Sequence, residues 1–343
     1  MTVLLFAILI LALWRAKFTV SGFHQDCLSR ETTTAVNGIF VLLVFLRHFS
    51  QYIQYGRFDG IFRIVDSRLD QLIVVPFLFY SGYGLLLSIT RKGKDYVNQV
   101  LAHRFPKVWY HFALAVLLFA VVRIFLGKQD PPKTILLSMT GWSSIGNSNW
   151  YVFAMLALYL FTFAAFRVAG KRHWVGVCLV SALCVCYILL LKPVKSHWWY
   201  DTLFAYPAGM AAALLAGKLR GITNRRYLAA WVITFFAAVL CWKFRKNIWL
   251  YQGLCLCFAL SILLITMKIR PGNPVLAFLG KYTFEIYILQ RIPMMVLEKW
   301  IPTSGIWKAP YFLLCFAITI GLSLIFRKCT DFLDRKLFPR SKT

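Results

Sequence analysis

The stretch Ala35-Val36-Asn37-Gly38-Ile39-Phe40-Val41-Leu42-Leu43-Val44-Phe45-Leu46-Arg47-His48-Phe49 decides how this chain is read. It is apolar enough for a membrane-spanning helix, and it carries two adjacent ionisable side chains, Arg47 and His48, deep inside the run. Such groups are costly in hydrocarbon and mark a functional site by default. At 1.5 Å per residue, His48 stands about 18 Å from the start of the span, past mid-membrane. On a helix Asn37, Val41, Val44, His48, Gln51/Tyr52 and Tyr55 share one stripe that grows more polar along its length, as in a cavity wall. A neutral imidazole there can take a proton from a hydroxyl. The plainer role is a hydrogen bond that glues two helices together.

The rest of the chain repeats the pattern. Apolar residues make up 60% of its 343 positions, with 39 Lys and Arg against 12 Asp and Glu. Spanning helices need about 20 apolar residues each, and lipid offers the backbone no hydrogen-bond partner. The expectation is an all-α, polytopic membrane helix bundle, one transmembrane domain over 1–343. The spans are read at 1–14, 36–55, 71–90, 108–126, 149–170, 174–191, 200–217, 227–242, 248–267, 275–297 and 310–326. The first is short and looks like a signal-peptide core. It has no basic flank and no small-residue cleavage site, so it is kept as a helix.

The net charge of +27 is a topology signal and not a mark of nucleic-acid binding. With eleven spans and the N-terminus outside, one set of hinges carries 22 Lys and Arg and the other 12. The richer set, which includes 91–107, 218–226 and 327–342, is assigned to the cytoplasm and to contact with anionic membrane lipid. The nine cysteines lack zinc or redox spacing; most read as small apolar side chains within spans, and no metal site follows from them. The longest outer hinge, 127–148, mixes turn residues with tryptophan, which suits either an interfacial anchor or an entrance for a polar substrate.

Three other segments carry chemistry. Glu285 lies well within a span, in Leu279-Gly280-Lys281-Tyr282-Thr283-Phe284-Glu285-Ile286-Tyr287-Ile288-Leu289-Gln290-Arg291. Two roles are open to it: orienting a catalytic imidazole, or serving as counter-ion to Arg47 or Arg291, since buried charges are normally paired. Pro76-Phe77-Leu78-Phe79-Tyr80-Ser81-Gly82-Tyr83-Gly84 allows a close helix approach or a break. The basic hinge from Arg91 to Lys107 can hold lipid phosphate or a phosphorylated cofactor.

In this order the segments resemble the acyltransferase 3 family, bacterial membrane enzymes that O-acylate glycans. Its opening motif is matched by Asn37-Gly38 through Arg47-His48, and its Ser-Gly-Tyr segment by Phe77–Tyr83. Its Arg-x-x-Arg motif is matched by Arg104-Phe105-Pro106-Lys107, and its Trp-Phe segment by Trp150-Tyr151 with Tyr159. Its late glycine stretch is matched by Phe204–Gly209, and its closing motif by Leu279–Gln290. Asn37, Lys107 and Gln290 depart from the usual basic residue, arginine and histidine.

The resemblance implies transfer of an acyl group, acetyl the expected one, from acyl-coenzyme A as co-substrate to a sugar hydroxyl. The acceptor is an envelope glycan or its lipid-linked precursor, and the place is the bacterial inner membrane. It assigns catalysis to His48, as general base or acyl carrier, with Arg47 and Glu285. It assigns the coenzyme A phosphates to Arg104, Lys107 and Arg91, and the sugar to Tyr52, Tyr55, Trp150 and Tyr287. The rival reading is a non-enzymatic glycan-lipid transporter, which needs a polar cavity but no thioester site.

Overall fold

The opening stretch forms one helix, α2 (Arg30–Phe49), which begins five residues before the apolar run because Ser29 caps it. The Ser29 hydroxyl accepts from the Thr32 amide at 3.2 Å, which satisfies a free donor of the first turn. The helix ends sooner than expected. Ser50 donates its hydroxyl back to the Arg47 carbonyl at 2.7 Å, a local bond that competes with helix continuation. The Gln54 amide is then held by the Thr303 carbonyl at 3.0 Å. Tyr52 and Tyr55 therefore leave the helical stripe on which the sequence placed them.

The fold, described over residues 1–338 of a computed structural model, is all-α apart from a two-residue strand pair. The helices are α1 (Thr2–Leu13), α2, α3 (Gly60–Leu69), α4 (Val75–Lys92), α5 (Lys94–Gln99), α6 (Phe105–Phe125), α7 (Pro132–Met139) and α8 (Trp150–Ala169). They continue with α9 (His173–Leu191), α10 (Ala205–Arg220), α11 (Asn224–Lys243), α12 (Ile248–Lys268), α13 (Pro274–Lys281), α14 (Thr283–Leu289), α15 (Arg291–Leu297) and α16 (Lys308–Leu337). Among the described residues, eight helical segments are long and apolar enough to cross a membrane. They answer to eight of the eleven expected spans. The other three are the twelve-residue α1, the sixteen-residue α10 and the run 274–297, which is broken into α13, α14 and α15. Helix α11 leaves Leu228, Ile233, Phe235 and Phe236 more than half exposed, an apolar face suited to lipid.

Contacts between the hinges fall into two groups. At the basic end, β1 (Lys17–Phe18) pairs antiparallel with β2 (Ile269–Arg270), and Lys107 bonds Asp334 at 3.1 Å. At the other end Lys195 donates to the Trp142 carbonyl at 2.7 Å and Lys299 to that of Leu126 at 3.2 Å. Helix α1 links the two, because Thr2 donates to the Phe58 carbonyl and β1 follows α1 directly. Up to Leu337 the basic tail continues α16, about 45 Å long at 1.5 Å per residue, and is tied to α6 through Asp334. Residues 339–343 of the tail lie outside the described residues.

Two glycine seams fix the bundle around its centre. A methyl group on Gly280 of α13 would collide with the Thr34 carbonyl of α2, and one on Gly38 with the Leu276 carbonyl of α13. Gly82 of α4 and Gly209 of α10 meet the Tyr206 and Phe79 carbonyls in the same way. Small residues let backbones approach closely where lipid supplies no hydrophobic drive. The glycine of Ser81-Gly82-Tyr83 is thus a packing device, and α4 runs through it unbroken.

Candidate active site

Between these seams lies a cavity of about 860 Å³ that is rimmed by Arg30, Arg91, Arg104 and Lys281 at the basic end. This volume falls in the usual range for small-molecule sites, about 300–1,000 Å³. Among the described residues, no carboxylate lines it. Its deep end is formed by Val44, Phe77, Tyr151 and Tyr287, and Asn37 and Val41 of the predicted stripe stand in its wall. The Asn37 Oδ1 and the Tyr80 hydroxyl are buried in that wall without a hydrogen-bond partner. Unsatisfied buried polar atoms are costly, and a polar ligand in the cavity would relieve the cost.

Two proline-induced irregularities aim side chains at this space. Pro106 has no amide hydrogen, and its ring conflicts with the carbonyl four residues back. The backbone answers with a π-helical turn at Val100–Arg104, a feature common at functional sites, and Arg104 projects from it into the cavity wall. Pro293 acts likewise on Leu289, where α14 ends before α15 begins at Arg291. Broken helices at membrane depth are tolerated where they line a cavity. This break brings Tyr287, Gln290 and Arg291 to one place.

His48 sits there. Its ring lies 6.0 Å from that of Tyr287, centroid to centroid, and Tyr287 lies 5.5 Å from Tyr151. The Nδ1 atom of His48 is buried with no hydrogen-bond partner, while Gln290 offers the imidazole a side-chain hydrogen bond from another helix. Gln290 and Arg291 flank the imidazole. Arg291 is fixed by donating to Ser148 Oγ at 3.0 Å and to Gln51 Oε1 at 2.7 Å. Ser148 belongs to the outer hinge, whose Ile145, Asn147 and Ser148 are buried. That hinge is a plug packed against the bundle, with Asn149 donating to the Gly141 and Ser143 carbonyls.

Several expected residues are placed elsewhere. Arg47 turns away from the imidazole and donates to Asp66 at 3.1 Å and Asp70 at 2.7 Å. Successive helical side chains point about 100° apart, and these two carboxylates occupy the guanidinium. Glu285 is the counter-ion of neither Arg47 nor Arg291. It pairs with Arg327 of α16 at 3.7 Å, because it lies two residues from Tyr287 and so on the far side of α14. Lys107 is outside the cavity, bonded to Asp334. Tyr52 packs against the core without lining the cavity. Tyr55 is 43% exposed beneath Arg63. Trp150 only supports Tyr151 from the side, at 5.9 Å.

The structure brings together His48, Tyr287, Arg104 and Arg91 from the predicted set. It adds Arg30, Lys281, Tyr151 and Arg291.

A family described as an acyltransferase domain (Acyl_transf_3) matches residues 35–328. The chain belongs to this acyltransferase family. It is accordingly a multi-pass membrane acyltransferase, and the match begins at the first residue of the stretch that carries His48 and ends one residue past Arg327. No curated protein and no solved structure matches the chain. Within the acyltransferase, the cavity, the glycine seams and the broken helix all fall inside or at the edge of the matched segment.

Proposed function

We propose that this acyltransferase moves an acyl group, acetyl the expected one, from acyl-coenzyme A to a sugar hydroxyl of an envelope glycan or its lipid-linked precursor, in the inner membrane of a bacterium. The observation that carries the reading is the cavity with four cations at its mouth, no carboxylate in its wall among the described residues, and Tyr287 with His48 behind its deep end. The positive-inside bias puts its mouth in the cytoplasm, where acyl-coenzyme A is made. Arg104, Arg91, Arg30 and Lys281 suit the donor's phosphates, and arginine cannot be neutralised there.

In this reading the thioester carbonyl lies beyond Tyr287, next to the imidazole. The sugar oxygen attacks the carbonyl carbon as His48 takes the hydroxyl proton. The carbon–sulfur bond then breaks, and the imidazolium returns that proton to the departing thiolate. The products are the sugar ester and free coenzyme A. General-base help of this kind is worth about 10²–10⁴ in rate. Arg291 and Gln290, not Arg47, are the groups placed to meet negative charge on the oxygen.

Coenzyme A binding to the purified full-length protein in nanodiscs tests the reading. Saturable binding that weakens by at least about tenfold in Arg104→Ala supports it, since bonds to charged groups are worth about 1.5–3 kcal/mol. Absence of binding by the folded protein contradicts it and favours the transporter alternative.

A further inference from the structure

The geometry points to a second site, a cavity at the end opposite the basic mouth, that binds an anionic saccharide. The cavity measures about 610 Å³ and is lined by Arg68, Arg245, Lys246 and Lys192, with Trp242 and Trp249 beside them. This inference rests on the acyl-transfer reading for its biological sense, since it names the class of acceptor.

Charge is the first argument. None of these four cations forms a salt bridge among the described residues. The two carboxylates in the wall are already engaged. Asp70 accepts from Arg47 at 2.7 Å, and Asp201 lies 2.6 Å from His197 Nδ1. The lining therefore has spare positive charge aimed at a space with hydrogen-bonding walls.

Rigidity and aromatic surface are the second. Arg68 and Arg245 both lie over the Trp242 ring, 5.3 Å and 4.2 Å from its centroid, which pre-orients their N–H groups. The loop bearing His197 and Asp201 is pinned to α12: Gln252 donates to the Tyr200 carbonyl at 2.6 Å and accepts from the Phe204 amide at 3.1 Å. The Trp249 indole suits the C–H face of a sugar ring, guanidinium groups suit a phosphate or carboxylate on it, and His197 Nε2 is left for a hydroxyl.

Position is the third. Asp70 belongs to this cavity's wall and bonds Arg47, the residue before His48. It has a positive φ of 38°, a strained conformation for a non-glycine residue that the surrounding structure must hold in place. The cavity thus abuts the segment that carries the imidazole, from the side opposite the donor.

The test uses the purified full-length protein in nanodiscs, with tryptophan fluorescence and equilibrium dialysis. The probes are glucose 1-phosphate, glucuronic acid, glucose and inorganic phosphate, and coenzyme A binding is measured in parallel. The expected result is saturable binding of an anionic sugar, weakened at least about tenfold by Arg245→Gln or Lys246→Gln, with coenzyme A binding unchanged in both variants. A preference for glucose 1-phosphate assigns the anion to a phosphorylated carrier, and a preference for glucuronic acid assigns it to the glycan itself. Equal binding of glucose, of inorganic phosphate and of the anionic sugars overturns the proposal, as does anionic-sugar binding unaffected by either variant. Anionic-sugar binding without coenzyme A binding leaves this site standing and removes the donor reading instead.

Discussion

The rings of His48 and Tyr287 lie 6.0 Å apart, tilted by 46°, and Tyr287 alone of the two lines the basic cavity. The tyrosine therefore stands between the cavity and the imidazole. Tyr287→Ala is expected to lower acyl transfer while leaving coenzyme A binding within a few-fold, because it removes a positioning wall and no phosphate contact. Single-turnover transfer measured beside donor binding checks this. Equal loss of both would place Tyr287 in the donor site itself.

Arg104 and Lys107 differ by one turn and by environment. Arg104→Ala should raise the donor concentration needed for half-maximal transfer by at least about tenfold. Lys107→Ala should leave that concentration nearly unchanged and lower stability by about 1 kcal/mol or less, as for a partly exposed ion pair. Donor titrations of both variants, with thermal melts in nanodiscs, separate the two.

Gly280 tolerates no side chain. Gly280→Ala pushes a methyl into the Thr34 carbonyl, a backbone atom that cannot step aside, and overpacking of this kind costs about 1–3 kcal/mol. Lower membrane abundance and a lower melting temperature are expected. Gly84→Ala, with nothing within 4 Å of the added carbon, should be silent in the same assays.

Arg47 is assigned to structure, joined to Asp66 and Asp70. A double-mutant cycle of Arg47→Gln and Asp70→Asn should give a coupling energy of about 0.5–3 kcal/mol in stability. A coupling near zero, together with abolished transfer in Arg47→Gln alone, would return Arg47 to the reaction.

Burial pushes the Asp201 carboxyl up to about 6, with His197 acting against that rise and Asp70 adding to it. The sign follows. As pH falls through about 6 the Asp201 carboxylate gains a proton and the outer cavity loses negative charge. Anionic sugar binding should tighten on acidification, and Asp201→Asn should flatten that dependence. Binding isotherms between pH 5 and 8 read it.

The membrane architecture was legible because apolar run length and hinge charge are properties of the sequence itself. So was the stripe Asn37, Val41, Val44, which does line the cavity. The stripe failed beyond Phe49, where the Ser50 hydroxyl turns the chain. The span read at 275–297 counts as one continuous run in sequence, whereas it is broken into α13, α14 and α15, although Pro293 carries a readable signal four residues after Leu289. What no local pattern contains is partner choice. Arg47 finds carboxylates 19 and 23 residues on, and Glu285 finds Arg327 on another helix, because the fold decides which charges meet. Arg30 and Lys281 were missed for the same reason: one is an ordinary hinge cation and the other a cation inside a span until the bundle closes around the cavity.

The central claim is that His48 moves the proton of the attacking hydroxyl. The most direct measurement is glycan O-acylation by wild type, His48→Ala and His48→Gln, normalised to protein abundance in the membrane. An amide can keep a hydrogen bond but cannot take the proton. The account predicts normal abundance for both variants, with transfer by His48→Gln reduced at least about a hundredfold, close to His48→Ala. Transfer by His48→Gln near the wild-type level would contradict it.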